Sequence, residues 1–325
     1  MEYLKLTNCD LVVSRIGIGC EVLGGTDWGK VDLREAARAV AVAWELGITL
    51  FDTADVYGLG RSEEALASAL GKRRHEVVIC TKVGVRWAAP EPGKRARTFI
   101  DSRPQYVIGA VEASLRRLRL DCLPLCLIHW PDPNTPIEDT MEALRTCQQA
   151  GKIRSVGVSN FSASQISLAN AIVPLAAAEV SLSLINREAA QAIVPTCQEL
   201  GVGVFAYGSL GQGFLTGKYG ENSVFDGSDR RHRLKHFQPD QRPKFMTILE
   251  RLCKIACQAG RTPTQVALRW ALDVPGVTSI VVGGRTSAQV EENAAVADWH
   301  PKAFQLACLQ TNSVCTETPV DTVVK

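Results

Sequence analysis

The chain has 325 residues, of which 46% are hydrophobic, and its formal net charge is +2. That hydrophobic fraction supports a sizeable core and excludes wholesale disorder, while the length fits one large domain or two ordinary ones. The 36 basic and 34 acidic residues are interleaved, so the charge pattern predicts neither a nucleic-acid partner nor a membrane partner. The densest basic run, RRHRLKH at 230–236, is typical of a solvated loop.

The amino terminus and the cysteines indicate the cytoplasm. The opening MEYLKLTNCD lacks the pattern of a signal peptide, and no apolar run approaches the roughly 20 residues that span a bilayer. The 11 cysteines are scattered without a C-x-x-C pair, and Cys20, Cys80 and Cys126 fall in apolar runs. We expect reduced thiols that act as small core side chains, and hence a cytoplasmic protein.

Apolar runs and amphipathic runs alternate along the chain. The segment LKLTNCDLVVS has the pattern of a hairpin, and eight strands are predicted after it, at about 15–20, 48–53, 76–83, 124–130, 153–159, 176–182, 202–207 and 277–283. The predicted helices are DLREAARAVAVAWELG, SEEALASALGKR, PQYVIGAVEASLRRL, PIEDTMEALRTCQQAG, SASQISLANAI, REAAQAIVPTCQELG, TPTQVALRWAL and TSAQVEENAAV. Asp, Ser or Thr begins several of them and Gly ends several, as helix caps require.

This alternation predicts an α/β fold of one domain, a closed (β/α)8 TIM barrel. Strands that are nearly continuous apolar runs are buried on both faces, which is typical of parallel sheets, and eight βα units match the barrel. We expect the barrel to span residues 1–310 and residues 311–325 to form a flexible tail. The Gly-rich, basic connection at 209–242, after the seventh strand, is long for a barrel and predicts a lid or a cofactor clasp.

Polar side chains stand at the ends of four successive predicted strands. Barrel enzymes carry out their chemistry at the carboxyl ends of the strands. The second to fifth strand ends supply Asp52, Asp55 and Tyr57, then Lys82, then His129 and Trp130, then Ser159 and Asn160. One such residue alone is more often structural, but four successive ends of this kind indicate an active site.

These residue types suit proton transfer to a carbonyl oxygen. A free Tyr has a pKa of about 10; a neighbouring ammonium lowers it, and a buried carboxylate keeps the ammonium charged. Spacing leaves open whether Asp52 or Asp55 is that carboxylate. A His could position the carbonyl. The sequence shows no ligand set with metal spacing, which favours hydride transfer from an organic cofactor over metal-assisted hydrolysis.

Seven segments, taken in order, resemble the motifs of the aldo-keto reductase superfamily. They are GIGCEVLGG, FDTADVYG, TKVG, LIHWPDP, GVSNF, AYGSLGQGFLTGKY and GGRTSAQVEEN, and the resemblance covers about residues 1–298. It implies a (β/α)8 barrel and a catalytic tetrad of Asp52, Tyr57, Lys82 and His129. It also implies that Asp52, rather than Asp55, is the partner of the lysine.

The resemblance also implies NADPH extended across the barrel mouth. Ser159 and Asn160 would hold the nicotinamide carboxamide, and Tyr207 would stack on the ring. The pyrophosphate path would be lined by Ser209, Leu210, Gln212 and Lys218. Gly283 would also contact the cofactor, and the 2′-phosphate would be bound by the residues that follow it, Arg285, Ser287, Gln289 and Asn293. GGRTS opens a helix whose free N–H groups attract phosphate. We therefore expect NADPH, with NADH less favoured.

Two positions depart from the family pattern. Glu179 stands where many relatives place a Gln opposite the carboxamide; its carboxylate can accept a hydrogen bond but, when ionised, cannot donate one. Glu21 stands where relatives commonly have an aromatic residue over the substrate, and Trp130 is the second residue that we assign to the substrate. A carboxylate there favours a polyhydroxylated or cationic substrate, unless Glu21 is paired with a nearby Arg.

The sequence therefore predicts an NADPH-dependent reductase of an aldehyde or ketone, such as a keto-sugar or a specialised metabolite. One alternative is a regulatory protein similar to potassium-channel β-subunits, which binds NADPH with little turnover. Another is an alcohol dehydrogenase that works in the oxidative direction. The oligomeric state does not follow from the sequence.

Overall fold

The computed structural model describes residues 1–89, 95–220, 222–301 and 309. Within them the strands are β1 (Tyr3–Lys5), β2 (Val12–Ser14), β3 (Ile16–Gly19), β4 (Leu50–Asp52), β5 (Val78–Val83), β6 (Val85–Trp87), β7 (Thr98–Ile100), β8 (Leu123–Ile128), β9 (Ile153–Ser159), β10 (Leu175–Ser181), β11 (Gly203–Tyr207) and β12 (Val277–Gly283). The helices are α1 (Leu33–Glu45), α2 (Arg61–Leu70), α3 (Pro104–Leu118), α4 (Ile137–Gln149), α5 (Ala163–Ile172), α6 (Glu188–Gln191), α7 (Ile193–Glu199), α8 (Arg242–Ala259), α9 (Pro263–Leu272) and α10 (Ser287–Ala294).

Eight strands close into a barrel in the cyclic order β3-β4-β5-β8-β9-β10-β11-β12. Every neighbouring pair is parallel, so the predicted (β/α)8 barrel is confirmed. The predicted hairpin is confirmed as well, since β1 and β2 pair antiparallel. Leu6 and Val13 of this segment pack with Leu50 and Leu125 of the barrel interior, and the hairpin therefore closes the amino-terminal end of the barrel.

The barrel strands are buried on both faces. In β5, Val78 and Cys80 belong to the interior cluster, whereas Ile79 and Val83 belong to the cluster that packs against the helices. This arrangement explains why the strands are continuous apolar runs rather than alternating ones. The same alternation determines which side chain reaches the barrel mouth, because the next inward position after Cys80 is Lys82.

The structure differs from the sequence-based elements at three places. The single helix predicted over residues 187–201 is instead two helices, α6 and α7, with a break at Ala192, where φ is −127°. Pro195 explains the break, because a proline lacks an N–H and clashes with a preceding turn, so that it fits only in the first turn of α7. The β6–β7 hairpin is an additional element. The end of the connection at 209–242 leads into α8, a helix of 18 residues.

The connection at 209–242 lies over the barrel mouth. It forms short 3₁₀ turns at Phe214–Thr216, Arg230–Arg233 and Lys235–Phe237, and Asp229 bridges to Trp28 in the loop after β3. No helix in the described part of the chain is both long enough and apolar enough to cross a membrane. The predicted tail at 311–325 lies outside the described residues.

Candidate active site

A layer of polar side chains closes the carboxyl-terminal end of the barrel interior. Each of these side chains lies two positions beyond an interior apolar residue, so it points into the barrel one layer higher. The apolar residues are Leu50, Cys80, Leu127, Ala177 and Phe205, and the polar ones after them are Asp52, Lys82, His129, Glu179 and Tyr207. The alternation of the strands thus brings five polar groups from five strands to one place.

Lys82 lies at the centre of this layer and is 1% exposed. Its Nζ donates to Asp52 Oδ1 at 2.5 Å and to the Thr53 carbonyl at 3.2 Å. Nζ is also 5.4 Å from the centre of the Tyr57 ring. Between the two aspartates that spacing left open, the lysine pairs with Asp52, while Asp55 is buried beside it without that ion pair.

The charges of this group follow from burial and proximity. Burial opposes the charge on Lys82, but the Asp52 and Glu179 carboxylates outweigh it and raise the pKa of Lys82 well above its usual value. Desolvation also raises the pKa of Tyr57 well above its usual value, and the Lys82 ammonium offsets only part of this. The expected lowering by the ammonium is present, but burial outweighs it. Tyr57 is therefore a protonated phenol, and Lys82 beside it is a cation that would stabilise the phenolate left after proton transfer.

His129 adds a neutral imidazole to the group. Its ring lies 5.6 Å from the Tyr57 ring, edge to face. Burial, and then the positive charges of Lys82 and Arg230, lower the pKa of His129 well below its usual value. Its Nδ1 is buried without a hydrogen-bond partner among the described residues. A neutral imidazole has one donor nitrogen and one acceptor nitrogen, so His129 can position a carbonyl oxygen without supplying charge.

A single cleft of about 1190 Å³ runs from this group across the barrel mouth. Every residue that the sequence predicts for cofactor or substrate, apart from Ser287, lines it: Glu21, Trp130, Ser159, Asn160, Glu179, Tyr207, Ser209, Leu210, Gln212, Lys218, Gly283, Arg285, Gln289 and Asn293. Ligand sites of roughly 300–1,000 Å³ are usual for small molecules, so the cleft is large enough for an extended ligand together with a small one.

At one end of the cleft, Asn160 connects three of these residues. Its side-chain amide donates to the His129 carbonyl at 2.9 Å and to Ser159 Oγ at 3.0 Å. The Tyr207 hydroxyl donates to Asn160 Oδ1 at 2.7 Å. Asn160 has a φ of +62°, a conformation that Asn tolerates better than most residues. The Ser159, Asn160 and Tyr207 side chains are thus fixed in place beside His129.

At the other end, the first turn of α10 faces the cleft. The Arg285 guanidinium lies 5.6 Å from the Trp28 ring centre, and the Arg285 N–H donates to Gln289 Oε1 at 2.8 Å. The Ser287 N–H and hydroxyl, both 2.9 Å from the same oxygen, donate to Glu35 Oε1. Ser287 is therefore placed behind the cleft wall, and a carboxylate occupies the donors that the sequence assigns to a phosphate.

Glu21 forms an ion pair over the cleft. Its Oε1 lies 2.6 Å from Arg230 Nη1, so the pairing with a nearby Arg that the sequence left open is found. Burial raises the pKa of Glu21, and the charge of Arg230 opposes that change. Trp130 lies across the mouth with 43% of its surface exposed and stacks 6.4 Å from the His129 ring.

The basic run at 230–236 is not a solvated loop, so that prediction was wrong. Arg231 is 6% exposed and pairs with Asp229, and Arg230 and Arg231 both line the cleft. A buried Arg needs a charge partner, and the Tyr219 and Phe225 rings also pack against Arg231. The only local signal was Asp229 two positions before Arg231. Trp28 also lines the cleft, and the sequence analysis did not single it out.

One cluster in this layer has donors that a metal ion could use. Ligand atoms of Asp52, Cys80 and Glu179 lie within 4.8 Å of one another. The Lys82 ammonium is 2.5 Å from Asp52 Oδ1 and 3.0 Å from Glu179 Oε2. A buried ammonium therefore already contacts both carboxyl groups, and a metal ion would have to displace it.

Known proteins resemble this chain over nearly its whole length. Residues 15–305 match the model of the Aldo/keto reductase family. The chain is 35% identical over 302 residues to the aldo-keto reductase YhdN of Bacillus subtilis, covering 92% of this chain and 89% of that protein. The glycerol dehydrogenase AKR11B4 from Gluconobacter oxydans has a similar structure, with a TM-score of 0.87, 34% identity, and coverage of 95% of this chain and 94% of that one. The aldo-keto reductase AKR11C1 from Bacillus halodurans, in its holo form, gives a TM-score of 0.78 at 26% identity, covering 98% and 99% of the two chains.

Proposed function

Since the chain belongs to the aldo/keto reductase family, we propose that it is an NADPH-dependent reductase that converts a polar aldehyde or ketone to the alcohol. The observation that carries this proposal is the buried Lys82–Asp52 pair, at 2.5 Å, beside Tyr57 and His129 at the inner end of the cleft. Together these side chains supply a protonated phenol, a fixed positive charge next to it and a neutral imidazole.

The chain's own residues handle the proton in this reaction. Bound NADPH would supply the hydride to the carbonyl carbon. The Tyr57 hydroxyl gives its proton to the carbonyl oxygen, which becomes the alcohol oxygen, and the phenolate that remains is stabilised by Lys82. Asp52 keeps Lys82 charged and oriented, and His129 holds the carbonyl oxygen toward Tyr57.

The cleft fits an extended dinucleotide. Its inner end has the Asn160 amide, the Ser159 hydroxyl and the Tyr207 ring, which suit a nicotinamide carboxamide and its ring. Lys218 and residues of the loop before it also line the cleft, and Lys218 would supply the positive charge that a pyrophosphate needs. Arg285 stands just before α10, and its guanidinium together with the positive end of the helix dipole attracts phosphate.

The choice between NADPH and NADH depends on two opposing groups. Arg285 at the start of α10 favours a 2′-phosphate, and this supports NADPH. Glu35, which accepts both Ser287 hydrogen bonds at 2.9 Å, opposes it, because an anion already occupies these donors. We propose NADPH as the preferred cofactor, with weak discrimination against NADH.

The substrate in this proposal is a small polar carbonyl compound. The pairing of Glu21 with Arg230 removes the argument from an unpaired carboxylate, but both charged groups still line the cleft. Their remaining donors and acceptors match hydroxyls better than an alkyl chain. The likeness to a glycerol dehydrogenase supports a polyol or the carbonyl compound derived from it. It also keeps the oxidative direction as the second candidate.

Three further assignments belong to the same proposal. The chain has one catalytic domain, which we assign to residues 1–310. The cytoplasm is the compartment, supported by Cys20, Cys80 and Cys126, which are buried as reduced core thiols. Turnover, rather than regulation of a channel, is the role.

A screen of NADPH oxidation tests the proposal. The carbonyl panel contains sugars, keto-sugars, short hydroxy-aldehydes, and aliphatic and aromatic aldehydes, and NADP+ reduction is followed with the matching alcohols. We expect turnover with polar carbonyls, and the ratio of the two directions identifies the working one. Tight NADPH binding with no turnover on any compound would contradict a reductase and favour the regulatory alternative.

A further inference from the structure

Lys82 has two carboxyl partners rather than one. Besides Asp52 at 2.5 Å, Glu179 Oε2 lies 3.0 Å from the Lys82 ammonium. Glu179 is 3% exposed and projects from β10 into the same interior layer, between β9 and β11. A neutral amide at this position would leave one ammonium with one carboxylate, whereas this chain places three ionisable groups in direct contact.

Two ionised carboxylates beside one ammonium would leave an uncompensated charge in a dry site. Burying an unpaired charge is costly enough that the group binds a proton instead. A carboxylate pair that shares a site holds one proton between them for this reason. Burial and the adjacent Asp52 carboxylate raise the pKa of Glu179 to about 8, and burial also raises the pKa of Asp52.

The thiol, phenol and imidazole groups that face this pair keep their neutral forms near neutral pH. Burial raises the pKa of the Cys80 thiol well above its usual value and raises the pKa of Tyr207 to about 12. Tyr57 is kept protonated and His129 is kept neutral, as described above. Farther out, Glu21 and Arg230 neutralise each other. Burial also raises the pKa of Asp55, but Asp55 makes no ion pair with Lys82. The carboxyl pair is thus the group of this layer whose ionisation acts directly on the Lys82 ammonium.

We propose that Glu179 is a positioning residue that shares one proton with Asp52, and that loss of this proton in alkaline solution suppresses proton donation by Tyr57. The inference rests on the proposed reductase function. With the proton in place, Lys82 faces one negative charge and stabilises the phenolate that forms on Tyr57. Without it, Lys82 faces two, and the extra negative charge opposes the phenolate. The effect reaches the substrate only through Lys82 and Tyr57.

The pH profile of carbonyl reduction tests this proposal. For the wild type we expect kcat/KM to fall at pH values above the one at which the carboxyl pair loses its proton. The fall should be up to about tenfold per pH unit, as for a single ionisation. The Glu179→Gln variant has no shared proton, so its profile should stay flat until Tyr57 itself ionises. The Glu179→Asp variant keeps a carboxyl and should keep the alkaline fall.

Asp55→Asn is the matched control. Asp55 is also buried, at 1% exposure, and its pKa is also raised by burial, but it makes no ion pair with Lys82. This variant should retain the alkaline fall. The proposal is overturned if kcat/KM falls at alkaline pH in the same way in the wild type and in Glu179→Gln. It is also overturned if Asp55→Asn abolishes that fall as completely as Glu179→Gln does.

Infrared spectroscopy of the NADP+-loaded protein reads the shared proton without turnover. In the Asp55→Asn background we expect a carboxylic-acid carbonyl band that disappears as the pH rises, and we expect Glu179→Gln to remove that band. If Glu179→Gln cannot be folded, the absence of such a band from the Asp55→Asn protein, which keeps Glu179, overturns the proposal. If the wild type reduces no carbonyl compound, the proposed function is contradicted. The infrared band still shows in that case whether Glu179 and Asp52 share a proton.

Discussion

The close approach of Gly58 to Gly24 makes a strong prediction about the loop that carries Tyr57. A Cβ built on Gly58 would lie 2.3 Å from the Gly24 carbonyl oxygen and 2.5 Å from Gly24 Cα, and Gly58 has a φ of +59°. Both neighbours are backbone atoms, so no side chain can move aside. In Gly58→Ala the loop must therefore shift, and Tyr57, as the adjacent residue, must shift with it.

The size of the effect follows from two separate costs. A left-handed φ costs an L-residue about 1–2 kcal/mol, and overpacking a rigid site costs about 1–3 kcal/mol. Gly58→Ala should thus destabilise the protein by about 2–5 kcal/mol. Gly260 is the matched control, because it has a φ of +60° but nothing within 4 Å of a built Cβ. Gly260→Ala should lose only the conformational part, about 1–2 kcal/mol.

Urea unfolding of the two variants measures this difference, and steady-state kinetics reads the displacement of Tyr57. We expect Gly58→Ala to unfold at lower urea than Gly260→Ala, and its kcat to fall while that of Gly260→Ala remains near wild type. Equal unfolding midpoints, with equal kcat, would refute the account of a loop held in place by backbone contact.

Three further predictions concern the cleft and the barrel interior. Glu35→Gln should raise the affinity for NADP+ relative to NAD+, measured by calorimetry of the apo protein at low salt, because it removes the anion on Ser287; an unchanged ratio would exclude Glu35 from cofactor choice. Glu21→Trp should shift reductase preference from polar toward aromatic aldehydes, since it removes the partner of Arg230; an unchanged substrate profile would contradict the polar substrate. Folding raises the pKa of Glu179 from 4.5 to about 8. Between these two pH values the native state holds a proton that the unfolded state has lost, so the free energy of unfolding of the wild type falls as the pH rises from about 5 to about 8. The melting temperature of Glu179→Gln should therefore rise relative to wild type between about pH 5 and about pH 8, and a constant difference would contradict the raised pKa.

The barrel and its polar layer were accessible from the sequence because both depend on local alternation. Strands buried on two faces are continuous apolar runs, and eight such strands separated by helices predict the closed barrel. The same alternation carries Lys82 inward two positions beyond Cys80. The sequence therefore predicts that these polar strand ends converge. It leaves open whether Asp52 or Asp55 pairs with the lysine, and only the family resemblance selects Asp52.

The contacts that modify the site were not accessible, because they join segments far apart in the chain. Glu21 and Arg230 are separated by 209 positions, and Glu35 and Ser287 by 252. No local pattern relates the members of such pairs. The basic run at 230–236 was misjudged partly for the same reason, since Arg230 pairs with the distant Glu21, although Arg231 pairs with Asp229 only two positions before it. The contact between Glu179 and Lys82 likewise depends on the curvature of the closed barrel.

The Tyr57→Phe variant tests the central claim, that Tyr57 donates the proton to the carbonyl oxygen. The substitution removes one hydroxyl and keeps the ring, so NADPH binding, measured by fluorescence titration, should be nearly unchanged. Loss of a general acid lowers rates by about 10²–10⁴-fold, and we expect kcat for carbonyl reduction to fall by that amount. A Tyr57→Phe enzyme that reduces the same carbonyl compound at the wild-type rate would contradict the mechanism.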